Sequence, residues 1–191
     1  MADQFREANQ FEKKLIIQGL EGISITIKQY IQHRKEQLFI LLPKMDGKFE
    51  FPQVFFVPTQ LIKFVNNFQG QAEIKEMGIY FGFIKRGNFR LSIEGAEFLK
   101  DSELINEDEI IYVNKKGAKA ILYGNKIKKE MVKTFPKELA KDKPYFVFNR
   151  LRELIALGLS LIEQEQIEKL DDKEDIAVNL IDKGYYLRED Q

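Results

Sequence analysis

The chain has no cysteine and no tryptophan, and only one histidine and five prolines in 191 residues. Without cysteine it can form no disulfide, no thiol nucleophile and no metal site built on thiolates. The one imidazole, His33, stands at the charged end of a predicted helix, where a surface or capping role is expected rather than that of a general base. A histidine-based catalytic triad is therefore excluded elsewhere. We expect a protein that is not an enzyme and that has no cofactor and no metal.

Long apolar runs are also missing. The longest, Leu38 to Leu42, has the length of a strand and is far shorter than a membrane span. The first ten residues are polar and charged, unlike a signal peptide. The sequence therefore predicts a soluble cytoplasmic protein with no membrane partner.

The net charge is zero, because 30 basic residues balance 30 acidic ones. The two signs are separated along the chain, however. From Lys115 to Arg152 there are 12 Lys or Arg against 3 acids, and from Glu153 to Gln191 there are 4 against 11. A zero sum can therefore hide a local basic surface suited to a polyanion.

Residues 1–106 are predicted to form an α+β domain, an antiparallel sheet with packed helices. The first helix is expected over residues 1–20, with Phe5, Ala8, Phe11 and Leu15 on one face. Met45-Asp46-Gly47-Lys48 and Arg86-Gly87-Asn88 are typical hairpin turns. Further helices are expected at 24–33, from Pro58 onward and at 94–100, and strands at 37–42, 54–57, 77–85 and 89–93.

Residues 107–191 are predicted to form a small β pseudo-barrel, because strands become short and frequent after the acidic linker at 101–109. Strands are expected at 110–113, 120–123, 145–148, 154–161, 176–181 and 185–188. A helix of about two turns is expected from Asn125 to Val132, with Asn125 as its N-cap.

That predicted helix carries the main candidate site. Lys126, Lys128 and Lys129 would lie in its first turn, where cations oppose the helix dipole but can converge with backbone N–H groups on a phosphate. Seven lysines and one acid lie between Tyr112 and Lys133, among them Lys115, Lys116 and Lys119. Ordinary surface lysines are the alternative interpretation.

Other residues extend the candidate site. Arg150 and Arg152 would offer guanidinium groups in a turn, and Arg can bind phosphate through two hydrogen bonds. On a terminal strand, Tyr186 and Arg188 would share one face, and one of Tyr185 and Tyr186 could stack on a base. Lys85 to Arg90 forms a basic hairpin tip that either extends the surface or is simply solvated. The acidic run Asp171 to Asp175 does not have the spacing of a calcium loop.

The ordered motifs of the chain resemble a known family. Ile111 to Ala118 followed by Ile121-Leu122-Tyr123-Gly124-Asn125, then Leu157-Gly158, then Ile176 to Arg188, look like the strands of a PUA domain. Pro43 to Gly47, Val54 to Val57, Gly78 to Gly82 and Phe89 to Leu91 are similar in order to the Nip-seven family of archaeal and eukaryotic ribosome-biogenesis factors.

The resemblance implies a non-catalytic factor that binds RNA, with uridine-rich RNA preferred, through a C-terminal PUA domain. It implies a role in large-subunit pre-rRNA processing beside assembly factors and, in some lineages, the exosome, in the cytoplasm or, in a eukaryote, the nucleolus. A monomer is expected. The implied RNA contacts are Tyr123, Gly124, Asn125, Lys126, Lys128, Lys129, Tyr186 and Arg188, with Lys115, Lys119, Arg150 and Arg152 beside them.

One departure from the family concerns the stretch after Leu157-Gly158, where archaeal members resembling this chain are basic. Here Ser160 to Lys169 is acidic, so that RNA contact cannot be transferred. Two alternatives stay open: an adaptor that binds proteins in ribosome assembly, and an accessory PUA protein of an RNA-modification complex. Steep loss of RNA affinity with added salt would favour direct RNA binding.

Overall fold

A computed structural model describes residues 5–42, 51–68, 74, 77–185 and 188. It divides into two compact units, Met1–Ser102 and Glu103–Gln191. The predicted turn at Met45 to Lys48 and the predicted site residue Tyr186 lie outside the described residues. The predicted α+β class, an antiparallel sheet with helices followed by a β pseudo-barrel, is confirmed.

The N-terminal unit is built on a five-stranded antiparallel sheet in the order β1-β2-β3-β4-β5. Its strands are β1 Phe5–Glu7, β2 Leu38–Leu41, β3 Gln53–Phe56, β4 Ile79–Lys85 and β5 Asn88–Leu91. Its helices are α1 Gln10–Glu21, α2 Ile25–Gln32, α3 Thr59–Phe68 and α4 Ile93–Asp101. Helix α1 packs on β5 and α4 on β4, while Val65 of α3 packs with Phe39 and Phe55.

The prediction of one helix over residues 1–20 is wrong at its start. Phe5 belongs to strand β1, where it pairs with Leu41 and stacks on Phe39 at 5.5 Å between ring centroids. The helix begins only after Asn9, whose side chain accepts a hydrogen bond from the Glu12 N–H at 2.9 Å. Phe11, predicted to face inward, is 68% exposed. Long-range strand pairing has overridden the apparent helical period.

An ion pair links β1 to the first turn of α1. Both guanidinium N–H groups of Arg6 donate to the Glu12 carboxylate, each at 2.8 Å. Burial acts to raise the pKa of Glu12, but the hydrogen bonds from Arg6 and from the Asn9 N–H, with the charge of Arg6, outweigh it and leave the pKa lowered. The folded state therefore favours the charged form of Glu12.

A dependence of stability on pH follows from this lowered pKa. The contribution of Glu12 is present above its unfolded pKa and is lost as pH falls through the folded value. We expect the urea midpoint of the wild-type chain to fall more between about pH 7 and about pH 3 than that of Glu12→Gln. Equal falls in the two proteins would contradict this role for the ion pair.

The C-terminal unit is built on a six-stranded sheet in the order β7-β11-β10-β9-β6-β8, which nearly closes on itself. Strands β6 and β9 are parallel, and the other pairs are antiparallel. The strands are β6 Ile110–Val113, β7 Ile127–Lys128, β8 Val132–Thr134, β9 Pro144–Phe148, β10 Leu154–Ser160 and β11 Asp175–Asp182. Helix α5, Lys115–Leu122, packs on β10 and buries Ile121.

In the described part of the chain, no helix has the length and apolar character needed to cross a membrane. Within the same residues, no three His, Asp or Glu side chains are grouped as metal ligands. The one histidine, His33, lies at the C-terminal end of α2 with Nδ1 at 2.7 Å from the Gln29 carbonyl oxygen, as its predicted capping role requires.

Candidate nucleic-acid interface

The predicted helix from Asn125 to Val132 is wrong. Ile127 and Lys128 form strand β7, and Lys129–Met131 is a single 3-10 turn before β8. Ile127 is fully buried and pairs with Ala177. The N–H groups of Lys129 and Glu130 donate to the carbonyls of Glu174 and Asp172, at 3.0 and 2.8 Å. Pairing with a distant segment has taken the donors that a local helix would use, so no helix start exists at Asn125 to bind a phosphate.

The helix lies one element earlier, and the predicted strand at 120–123 is wrong for that reason. The Asn114 side chain caps α5 by accepting a hydrogen bond from the Gly117 N–H at 2.8 Å. Gly117 lets the helix approach the 3-10 turn, since a Cβ there would lie 2.6 Å from the Cβ of Met131. The apolar run that looked like a strand is the last turn of this helix.

Tyr123-Gly124-Asn125 ends α5 rather than starting a new helix. The Gly124 N–H donates to the Ile121 carbonyl at 2.8 Å, and the Asn125 N–H donates to the Ala120 carbonyl at 3.2 Å. These two bonds form a Schellman cap, which requires the left-handed backbone that Gly124 adopts, with φ of +83°. Gly124 and Asn125 thus shape the end of the helix, and both are exposed.

Helix α5 presents a basic, exposed side that we call the lysine face: Lys115, Lys116, Lys119 and Tyr123. The helical repeat places these four side chains within about a third of a turn, opposite the buried Gly117 and Ile121. Tyr123 is 66% exposed. Among the residues that the structure describes, the three lysines have no ion-pair partner. The helix contains no acidic residue, so its field favours an anion.

A shallow groove of about 490 Å³ follows the end of α5 and is lined by Asn125, Lys126, Lys128, Glu130, Met131 and Asp175. Its charges are mixed. Lys126 Nζ lies 3.0 Å from the Asp175 carboxylate, but this lysine is 57% exposed. Such exposed pairs contribute little to stability, so Lys126 can exchange its carboxylate partner for a phosphate. Lys128 is half-buried in the groove wall.

Lys129 is held by the acidic segment between β10 and β11. Its Nζ donates to the Leu170 carbonyl at 2.7 Å and lies 4.0 Å from the Asp172 carboxylate. The acidic run Asp171 to Asp175 is therefore a neighbour of the predicted lysines and partly neutralises them. The sequence separates these acids from Lys129 by about 40 residues, so only the strand pairing reveals the contact.

Arg188 is bound to the protein itself. Its Nη1 and Nη2 donate to the two carboxylate oxygens of Asp182 at 3.0 and 2.9 Å, and Nη1 also donates to the Leu122 carbonyl at the end of α5. The hydrogen bond to Asp182 raises the pKa of Arg188. Of the predicted strand at 185–188, Tyr185 and Arg188 are described, and the prediction is wrong at both because their backbone is helical.

The closing network around Asp182 was missed from the sequence. Asp182 is 2% exposed and also accepts from Asn179 Nδ2 at 2.9 Å and from the Gly184 N–H at 2.8 Å. Asn179 Nδ2 donates in addition to the Ile121 carbonyl at 2.9 Å. The signal in the sequence was two polar residues, Asn179 and Asp182, within the otherwise apolar second half of β11, followed by Gly184.

Arg150 and Arg152 lie at the tip of the β9–β10 hairpin. Asn149 Oδ1 organises this tip by accepting from the N–H groups of Leu151 and Glu153, at 2.8 and 3.1 Å. Arg152 has φ of +59° and lies 3.7 Å from the Glu107 carboxylate and 5.9 Å from the Tyr112 ring. Among the described residues, no hydrogen bond or ion pair joins this tip to the lysine face.

The stretch after Leu157-Gly158 is acidic on the surface as well as in the sequence. It completes β10 and continues into a 3-10 helix, Gln164–Lys169. The side chains of Glu163, Glu165 and Glu168 are exposed. This part of the C-terminal unit therefore repels a polyanion, and the lysine face is the more favourable surface.

The sequence of the C-terminal unit is similar to a known protein family. Residues 109–191 match the family model described as the UPF0113 PUA domain. A UPF0113 protein of Archaeoglobus fulgidus is 29% identical over 119 residues, which cover 62% of this chain and 65% of that protein. PUA domains generally bind RNA and are not usually catalytic.

Solved structures show the same fold at low identity. A hypothetical protein from Pyrococcus horikoshii is 11% identical, with a TM-score of 0.61 over 93% of each chain. A PUA domain from Aeropyrum pernix, solved as a tartrate complex, is 13% identical, with a TM-score of 0.61 over 93% of this chain and 85% of that one. A PUA domain protein from Thermoplasma acidophilum is 14% identical, with a TM-score of 0.57 over 97% and 98%. These likenesses establish the fold of the chain.

Proposed function

We propose that this chain binds RNA through the lysine face of its C-terminal unit, without catalysing a reaction. The observation that carries the proposal is the placement of Lys115, Lys116, Lys119 and Tyr123 on one exposed side of an acid-free helix. The match of residues 109–191 to a PUA domain supports it.

The mechanism is electrostatic docking with limited stacking. Lysines that displace counterions from phosphates supply affinity that falls as salt rises. Tyr123, exposed at the end of the same face, offers an aromatic ring on which an unpaired base can stack. The surface extends into the groove through Asn125, Lys126 and Lys128. A phosphate bound to Lys126 would replace its ion pair with Asp175.

We further propose that the chain acts in assembly of the large ribosomal subunit and in pre-rRNA processing, as a Nip-seven-like factor. It rests on the ordered motifs of the sequence, including the first domain. The partners proposed with it are pre-rRNA, assembly factors and, in some lineages, the exosome.

The triple variant Lys115→Gln, Lys116→Gln, Lys119→Gln tests the proposal. We expect it to bind a labelled uridine-rich single-stranded RNA at least about tenfold more weakly at low salt, because three phosphate contacts are lost. Its stability should change little, since the three side chains are exposed and have no ion-pair partner among the described residues.

A matched control removes the same charge elsewhere in the unit. Lys137→Gln, Lys141→Gln, Lys173→Gln replaces three exposed lysines outside α5 and the groove. We expect affinity within about twofold of the wild type, apart from the long-range effect of net charge. Equal losses in the two triple variants would mean that the lysine face is not the RNA site.

A further inference from the structure

The N-terminal unit has a second surface with aromatic and basic side chains, on the edge half of its sheet. Phe83 of β4 pairs with Gln53 of β3 and with Arg90 of β5. Lys85, two residues after Phe83, pairs with Asn88. Side chains of directly paired residues lie on the same side of a sheet. These positions, together with Phe51 before β3, define what we call the aromatic face: Phe51, Gln53, Phe83, Lys85 and Arg90.

The rings of this face are arranged for stacking. Phe51 and Phe83 lie 6.1 Å apart between ring centroids at 28°, and Lys85 Nζ lies 4.4 Å above the centre of the Phe51 ring. All three residues are half-buried, and Arg90 is exposed. The opposite side of the same strands is core, where Ile84, Phe89 and Leu91 are buried. Phe51 and Phe83 are therefore partly exposed to solvent, on the side of the sheet that faces away from the buried Ile84, Phe89 and Leu91.

All charged residues in the strands that form this surface are basic. Strands β3, β4 and β5 and the turn between the last two contain Lys85, Arg86 and Arg90 and no acidic residue. In the described parts of the chain, the Arg86 and Arg90 side chains have no ion-pair or hydrogen-bond partner. Arg86, at the tip of the hairpin with φ of +51°, is exposed. Three uncompensated cations on one hairpin favour a polyanion.

We propose that the aromatic face is a second nucleic-acid site, which takes single-stranded RNA with a base stacked against Phe83 and phosphates on Lys85, Arg86 and Arg90. The cations select a polyanion, and the accessible rings select one that carries unpaired flat bases. In a duplex the bases are already stacked on each other, so the rings would add nothing to its binding. This site lies in the N-terminal unit, whereas the lysine face lies in the C-terminal unit.

The test uses the full chain and a fluorescein-labelled twelve-nucleotide oligouridine, measured by anisotropy in the background Lys115→Gln, Lys116→Gln, Lys119→Gln. Adding Arg86→Gln and Arg90→Gln should weaken binding at least about fivefold and lower the slope of log affinity against log salt by about 1.4, for two phosphate contacts on a single strand. Phe83→Leu keeps an apolar side chain against Phe51 but removes the ring, and should weaken oligouridine binding by about fivefold or more.

Controls separate this site from general charge effects. Lys14→Gln with Lys35→Gln removes two exposed lysines of the same unit and should leave affinity within about twofold. Equal losses in the Arg86/Arg90 and Lys14/Lys35 pairs would overturn the proposal, as would competition by a twelve-base-pair duplex as strong as that of the single strand. Retained affinity in the lysine-face variant would instead contradict the proposed function of the C-terminal unit, and leaves the test of the aromatic face intact.

Discussion

Asp182→Ala is expected to lower the free energy of unfolding of the C-terminal unit by about 2–4 kcal/mol. Asp182 is 2% exposed and accepts hydrogen bonds from Arg188, Asn179 and the Gly184 N–H. Alanine leaves these donors without their acceptor and leaves a guanidinium without its counter-charge. The estimate lies below the full cost of breaking a buried pair because the Arg188 side chain is 33% exposed.

Urea denaturation, followed with a probe in the C-terminal unit, would measure the free energy of unfolding of Asp182→Ala and of the wild type. Asp175→Ala is the matched control, since it removes the carboxylate of an exposed pair with Lys126 and should cost no more than about 1 kcal/mol. Asp182→Asn should lie between the two, because one amide oxygen still accepts. A loss for Asp182→Ala as small as that for Asp175→Ala would show that the network does not hold the end of α5.

Gly82→Ala is expected to destabilise the N-terminal unit by about 3 kcal/mol. A Cβ at this position would lie 2.1 Å from the Arg90 carbonyl oxygen and 2.8 Å from the Phe89 ring. The backbone there has φ of +155° and lies at the irregularity where β3 shifts register against β4. Neither the strand backbone nor the buried Phe89 can move away without breaking the pairing of β4 with β5.

Gly87→Ala separates the steric effect from the conformational one. Gly87 also has positive φ, +75°, but nothing lies within 4 Å of its added Cβ. Its substitution should therefore cost only the penalty of left-handed backbone, about 1 kcal/mol. Thermal or urea unfolding of the two variants measures the difference. Equal destabilisation would mean that close packing at Gly82 contributes nothing.

Much of the fold followed from local patterns. Helix α2 and the β4–β5 hairpin were predicted because each carries its own signal: a helical period in the first, and a Gly in a tight turn in the second. Strands β6, β9, β10 and β11 were found because apolar residues run continuously through them. Both the α+β class and the pseudo-barrel followed from the order of these elements.

Two of the failures have the same physical cause, which is pairing between segments distant in sequence. Phe5 and Ile127 were both assigned to helices from their local pattern. The structure pairs Phe5 with Leu41 and Ile127 with Ala177, and neither pairing is visible in the local sequence. Tyr123-Gly124-Asn125 fits either a helix start or a helix end, and the choice depends on whether the residues before it are helical. Because a strand was predicted at 120–123, the segment after it was assigned to a helix start, which produced the wrong helix from Asn125 to Val132.

The candidate site was predicted better in composition than in geometry. The lysine-rich stretch was identified, and among the described residues Lys115, Lys116 and Lys119 of α5 are exposed and have no ion-pair partner. Lys126 and Lys129 face Asp175, Asp172 and the Leu170 carbonyl, and Arg188 faces Asp182. Whether a lysine has a carboxylate neighbour depends on the fold, and no local pattern reveals it.

The salt dependence of RNA affinity tests the central claim most directly. For the wild-type chain and a uridine-rich single strand, log affinity should fall linearly with log salt, and the slope of the variant Lys115→Gln, Lys116→Gln, Lys119→Gln should be smaller in magnitude by about 2, for three lost phosphate contacts. A wild-type affinity that does not respond to salt, or a variant slope equal to that of the wild type, would contradict RNA binding through the lysine face.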